Sequence, residues 1–410
     1  MLAVLAFTAC SNDSDEAAGS GNHIWHVSLT ASMGDATNRA LSADGENIAA
    51  KFAVDDEVVV VDADGSTIVG TLNAQTAGGS TTLSGELKNT SLAADEVVSL
   101  HYLSATPNYD GQKGALAEIS SYAVGTLKVK TVTPLTFEST SVTLAPQQSI
   151  TKFTFKSGDS DIYVKTFGIA APGLVQSIAA NGTETVGAVT GTLATPSKEV
   201  YVALRNTSTT PYSFYIQDNT GNWYRGTKNA TLANGKYYTA TVSLTKLPEL
   251  TSSSEGTVGV IDGLPAIVIS GNKAVALMNV GALCPEHYGK YYTFANLSSL
   301  GLPTGWHVPS KDEFDVLVGK TNTWGAPNGV SGSTFTIGSE KLFLPAAGFY
   351  DNNSTPTLIN ATWGYYWSST STTTEGSVYS LQFKGVITSL SFNSSKEIDG
   401  LSVRPFHSLP

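Results

Sequence analysis

Three observations read this chain as mainly β and divided into several domains. Short apolar runs recur from Ile24 onward, split by Gly, Asn, Asp and Pro, which is the pattern of strands and turns. Charged residues make up only 14% of the chain, against about 25% in an average globular protein, while Thr, Val and Tyr, which suit a pleated surface, are plentiful. A length of 410 residues suggests two to three domains at roughly 150 residues each, and a hydrophobic share of 41% lets each bury a core.

The strands are expected in order. Residues 24–30 form the first. Residues 52–62 hold an acidic turn that feeds the Val58–Val61 run, and Asp64-Gly65 is a tight-turn signal with 68–72 returning. Segments 81–87 and 97–103 follow, and Thr and Pro interrupt the pattern around 130–134. A second block has seven candidate strands, 150–156, 162–169, 187–193, 199–204, 212–218, 223–226 and 237–244, a count and spacing that suit a β-sandwich. Residues 248–256 read as a polar linker. Beyond it aromatic density rises, and Ser310 with Glu313 before Phe314, Val316 and Leu317 is a capping box opening a helix. The expected units are therefore 1–22 (leader and tether), 23–131, 132–247, the linker 248–256, and 257–410.

Lys and Arg number 23 against 34 Asp and Glu, a net charge of −11. An acidic surface opposes contact with nucleic acid or anionic lipid headgroups. The two cysteines, Cys10 and Cys284, cannot build a disulfide framework. The apolar run from Met1 to Ala9 ends in small residues and Cys10, which resembles the cleavage box of a bacterial lipoprotein signal with Cys10 as the lipidated residue. A truncated ordinary signal peptide is the alternative, since the basic start of a signal is missing. The acidic, Ser-rich stretch 11–16 resembles the surface-export tether of Bacteroides-type lipoproteins, and its composition cannot pack a core.

Residues 24–246 resemble the fimbrillin family, the pilins of type V pili. The likeness rests on the lipoprotein start, the loop Ala36-Thr37-Asn38-Arg39-Ala40, and Phe52 with its acidic turn and Val run. Tyr109-Asp110-Gly111-Gln112 before Ala117-Glu118-Ile119, and Ile150 to Phe155, complete it. Residues 257–410 resemble paralogous surface domains with a C-type-lectin-like or sulfatase-modifying-factor-like fold. The matching blocks are 274–282, 285–292, Gly305 to Phe314, Leu342 to Tyr350, Gly364 to Thr370, and Leu401 to Phe406. Together these resemblances imply two tandem transthyretin-like β-sandwiches followed by a C-terminal α+β C-type-lectin-like domain. The first also implies maturation by cleavage between Arg39 and Ala40, which frees the N-terminal strand so that a neighbouring subunit's strand can take its place. The alternative is one solvated arginine in a loop. The closing residues 402–410 match the last strand of the lectin-like domain and leave no donor strand, which favours a tip subunit over a shaft subunit.

Chemistry for catalysis is sparse. No phosphate loop, serine elbow or His-Glu helix motif occurs. Cys284-Pro285-Glu286-His287 offers one thiol where formylglycine-generating enzymes use paired cysteines, so a structural cysteine is expected and no enzyme. Trp306 and Trp367 read as framework residues. The expected ligand contacts are the loop aromatics Trp324, Phe349, Tyr350 and Trp363, with Asn328, Asp351, Asn352, Asn353 and Asn360 supplying hydrogen bonds to hydroxyls. The Glu-Pro-Asn-type triplets of calcium-dependent lectins are absent, so neither a metal nor a cofactor is expected. The expected partners are other pilin subunits, a carbohydrate or protein on a target cell, and the precursor's lipid anchor. The runner-up is an anchored glycan-binding lipoprotein that never polymerises.

Overall fold

The computed structural model describes residues 23–34, 42–44, 47–49, 51–89, 92–103, 108–206, 208–251, 253–351, 357–359, 362–373, 375, 377–385, 391–396 and, with main chain and side chains, 397–409. Cys10, Arg39, Ala40, Asn352, Asn353 and Asn360 lie outside them. The described chain is mainly β, with one α-helix of eight residues.

The first unit is a sheet that closes on itself. Its strands are β1 (His23–Met33), β2 (Glu57–Val61), β3 (Ile68–Ala74), β4 (Ser80–Asn89), β5 (Val97–Leu103), β6 (Tyr122–Val132) and β7 (Ser141–Pro146). They are ordered β7-β1-β4-β3-β2-β5-β6, and β7 also pairs with the start of β6. In β1, Trp25, Val27, Leu29, Ala31 and Met33 alternate into the core, where they meet Val58, Val60, Leu83, Leu100 and Leu144. The period of two puts each apolar residue on one face, which fixes the register. The division expected at 131/132 falls within this sheet, because β7 bonds to both β1 and β6. The Thr and Pro around 133–134 mark a hairpin to Leu135–Phe137, a turn signal rather than a domain boundary.

The second unit packs two sheets. One is β11-β8-β14, built from β8 (Ser149–Ser157), β11 (Glu199–Leu204) and β14 (Tyr237–Ser243). The other is β10-β9-β12-β13, built from β9 (Val164–Ala170), β10 (Val189–Ser197), β12 (Thr210–Asp218) and β13 (Trp223–Ala230). Phe153, Phe155 and Phe214 meet at their centre with ring centroids 5.4–5.6 Å apart. Residues 108–112, although they precede β6 of the first unit, cover this second core. Tyr109 is buried and donates to Gln148 at 2.7 Å, and the Gln112 amide bonds both the N–H and the C=O of Ala203 at 2.9 and 3.0 Å.

The third unit is centred on a five-stranded sheet, β15-β16-β17-β25-β18. Its strands are β15 (Val258–Ile261), β16 (Leu264–Ser270), β17 (Lys273–Ala276), β18 (Trp306–His307) and β25 (Phe406–Ser408). The strand from the end of the module lies beside one from its start. Helix α1 (Lys311–Val318) packs Phe314 and Leu317 into the core. The capping box forms as the spacing predicts, with Ser310 accepting from the Glu313 N–H and Glu313 accepting from the Ser310 N–H. The expected linker is not free. Leu250 donates to the Val260 carbonyl, Val260 donates to the Pro248 carbonyl, and Gly256 donates to the Val268 carbonyl. Its polar residues had hidden the Pro248 and Leu250 backbone that adds to β15. Arg404 is fully buried and ties three segments together, donating to Asn279 at 2.9 Å, to the Ala276 carbonyl at 3.1 Å and to the Phe343 carbonyl at 3.1 Å.

Candidate functional site

The described candidates separate into three places. The first is an aromatic face built by β22 (Phe349–Asp351), the start of β23 (Gly364–Ser371) and the end of β24 (Ser377–Phe383). Phe349 leans on Tyr365 with ring centroids 4.8 Å apart, and Trp363 stacks on the same tyrosine at 6.2 Å. Tyr350 meets Tyr291 edge-on at 4.8 Å, and its backbone exchanges two bonds with Gly400. Phe349, Tyr350, Asp351 and Trp363 are all half-buried, so each keeps part of its surface open. Lys384, which the sequence reading had not singled out, holds its ammonium 5.6 Å from the centre of the Trp363 ring. Such a cation over an indole face is attracted by the ring's quadrupole. The hydrogen-bonded partners Gly364 and Phe383 explain the meeting of Trp363 and Lys384, since those residues flank the pair on adjacent strands. Sequence spacing alone could not have shown it, because 21 positions separate them.

Trp324 belongs elsewhere. It lies on β19 (Asn322–Gly325), packs against the third unit's main core, and meets Phe383 edge-on at 6.3 Å. Phe383 also stacks on buried Tyr366 at 6.0 Å. Trp324 thus stands apart from the aromatic face, half-buried against the core.

Asn328 lies in a third place. It donates to Glu286, which is buried at the junction between the second and third units. The neighbouring Gly329 has a positive φ of +79°, and a Cβ there would lie 2.8 Å from Val186 of the second unit. The turn residues Ala326 to Gly329 resemble a surface loop in sequence because Pro, Asn and Gly mark turns. Here Asn328 holds the Glu286 loop, and Gly329 lets the turn approach Val186.

That junction is extensive. Cys284 is fully buried against Ala170 and Ala188, and burial pushes its thiol pKa well up, which opposes thiolate formation and a nucleophile's role. Gly168 on β9 leaves room for the loop, since a Cβ there would stand 2.4 Å from the Leu283 carbonyl. His287 lies 3.2 Å from Asp110, whose other oxygen accepts from Thr190. Burial raises the Asp110 carboxyl, but the hydrogen bonds from His287, Thr190 and the Gly111 N–H outweigh it and hold the pKa below the usual range. Glu286 shows the opposite balance, with burial raising its pKa against the Asn328 bond, its own backbone N–H and the charge of Arg404. Arg225 on β13 grips Glu340 through two bonds of 3.0 and 3.2 Å, and Trp223 donates its indole N–H to the Gly263 carbonyl at 3.0 Å. Among the described residues no three His, Cys, Asp or Glu side chains gather as a metal-ligand set, and no helix is long and apolar enough to cross a membrane.

No family model matches the chain, and no curated protein matches it. Solved structures resemble parts of it. A fimbrial assembly protein from Parabacteroides distasonis is 13% identical, with 53% of this chain and 90% of that one covered and a TM-score of 0.27. A candidate cell adhesion protein from Bacteroides uniformis is 13% identical over 54% of this chain and 96% of that one, at 0.30. A shaft pilin from Lactobacillus rhamnosus GG is 13% identical over 54% and 97%, at 0.23. At TM-scores this low the likenesses stop at resemblance and assign neither fold nor function.

Proposed function

We propose that this chain is a cell-surface adhesin, a fimbrial tip subunit that accepts a strand from the next pilin and contacts a surface ligand through its C-terminal module. One observation carries the reading most directly. Strand β1 is inserted between β4 and β7, paired along its length with β4 and over Thr30–Met33 with β7, and it lends five side chains to the core. A chain cut after Arg39 would lose this strand and expose two unpaired backbone edges above an apolar groove. Such a groove is the acceptor that strand addition requires. At the other end, β25 is bonded on both sides, to β17 and to β18, and so is not available to be donated. The Phe349–Trp363 face, with Lys384, is the surface we assign to ligand contact, and a carbohydrate or protein on a target cell is the partner class. Lipidation at Cys10, an outer-membrane precursor, a lectin-like fold for the third unit and the lack of any catalytic role belong to the same proposal.

Immunogold microscopy of the native cells with an antibody to residues 257–410 tests it. Gold at fibre ends is the expected result. Gold spread over the cell surface without fibres would overturn assembly and leave an anchored, non-polymerising glycan-binding lipoprotein.

A further inference from the structure

One hairpin of the second unit touches both neighbouring units. It pairs Val175–Ile178 with Glu184–Val186. At its tip, the Asn181 amide donates to the Ser66 carbonyl of the first unit at 3.2 Å, and Gly182 rests on the edge of the His101 imidazole. Gly182 has a φ of +84°, and a Cβ there would collide with the Cε1 atom of His101. At its base, Val186 abuts Gly329 of the third unit. The hairpin therefore bears on the first and third units at once.

Its seat on the first unit is a buried histidine. His101 lies on β5 and is 8% exposed. Its Nε2 bonds the Ser99 hydroxyl at 2.8 Å and its Nδ1 the Tyr122 hydroxyl at 3.1 Å, and the two rings stack with centroids 6.1 Å apart. Two hydroxyls suit a neutral imidazole, which donates through one nitrogen and accepts at the other. The charged groups on the surrounding elements are Glu57 on β2, Lys128 on β6, Asp62 and Asp64 in the turn before β3, and Glu184 with Arg205 from the second unit. Among the described residues none of these is bonded to the imidazole. Arg205 is held by Glu184 of the hairpin and lies 5.5 Å from the centre of the Tyr122 ring. A proton on His101 would make a buried cation with no carboxylate beside it, next to a ring that already carries a guanidinium.

We propose that this hairpin is an acid-released latch: protonation of His101 lifts its tip off the first unit and so loosens the strut between the first and third units. Lifting the tip opens the ring edge to water, where an imidazolium is hydrated. In the docked state burial holds the His101 pKa below its usual value. Docking is therefore full above the free histidine value of about 6.5. It weakens as pH falls through that value and levels off once pH is below the docked pKa.

Amide hydrogen exchange on the full chain tests the latch, with rates corrected for the intrinsic effect of pH. A two-stranded hairpin is marginal alone, so the amides of 175–186 should exchange about 3–10-fold faster at pH 5.0 than at pH 7.5. His101→Gln, which cannot titrate, should give one rate at both pH values. Gly182→Ala, which forces the tip off, should give the fast rate at both. The proposal is overturned if the parent shows no acid step, or if the step survives in His101→Gln and so arises elsewhere, as at the His287–Asp110 pair. It is equally overturned if Gly182→Ala keeps the parent's slow exchange at pH 7.5.

Discussion

The junction side and the aromatic side of the C-terminal module use similar residue types to opposite ends. At the junction, the loop from Cys284 to His287 is spent on the second unit, His287 on Asp110 and Cys284 on Ala170 and Ala188, while Asn328 holds that loop through Glu286 and Gly329 abuts Val186. On the other side, Phe349 and Trp363 share one tyrosine as a backing and stay half-exposed, with Lys384 over the Trp363 ring. Turn chemistry and polarity therefore do not mark a contact surface. What separates the two is whether a neighbouring unit already satisfies the side chains.

The comparison breaks most readily at Gly168. Valine there would place a methyl-bearing carbon against the Leu283 carbonyl and the Cys284 Cβ, where backbone on both sides cannot yield. Overpacking of this kind costs about 1–3 kcal/mol. The expected outcome is a chemical-denaturation curve that splits, with the third unit unfolding earlier than the second. A single unshifted transition would mean that the junction does not couple the two units.

A smaller effect, with a sign that depends on pH, contrasts two carboxylates. Burial raises Glu313, but the Ser310 N–H, His307 and Lys273 outweigh it and leave the pKa below its ordinary value. Its stabilising contribution is thus present above the unfolded carboxyl range, about 4.3, and is lost as pH falls through the folded pKa. Glu286 is raised by burial, so its contribution is full below the unfolded pKa and is lost as pH rises through the folded one. Glu313→Gln should cost about 1 kcal/mol at pH 7 and converge with the parent in acid. Glu286→Gln should be neutral or stabilising at pH 7, and that gain should fade towards pH 4. Urea midpoints across pH 2–8 measure both, and parallel curves for the two variants would refute the assignment.

The smallest stability effect is expected where binding matters most. Trp363→Ala gives up a stacking contact worth about 1 kcal/mol, yet adhesion of the purified module-bearing chain to target cells or glycans should fall at least tenfold. Trp324→Ala should behave inversely, losing about 2–3 kcal/mol of core packing while adhesion holds. Equal adhesion by Trp363→Ala and the parent would remove the aromatic face from consideration.

The strands were largely legible because their side chains alternate. The Val58–Val61 run, the return at Ile68–Ala74 and the Phe153–Phe155 pair all lie where period and turn residues put them. The Ser310 cap was legible because a capping box is local. Partnerships across the chain were not. Nothing in the order of residues tells that Asp110 waits for His287, that Gly168 is small to admit Leu283, or that Lys384 returns to Trp363. The linker 248–256 was misjudged for the same reason: its side chains are polar, while its contribution to β15 is made by the backbone, which every residue carries.

The parallel pairing of β8 with β14 has a mechanical consequence. Once past the 108–112 segment and β7, the chain runs into the second unit at the start of β8, and it leaves beyond β14 after Thr245 and Lys246 have paired with β13; β8 and β14 lie side by side in register from Ile150–Tyr237 to Lys156–Ser243. Tension applied between the first and third units would pull these strands lengthwise past each other. Under that load the rungs share the force and must yield together, whereas a hairpin pulled from its open end would give way one rung at a time. A protein anchored at one end and attached at the other in flowing liquid would carry its load through this pair.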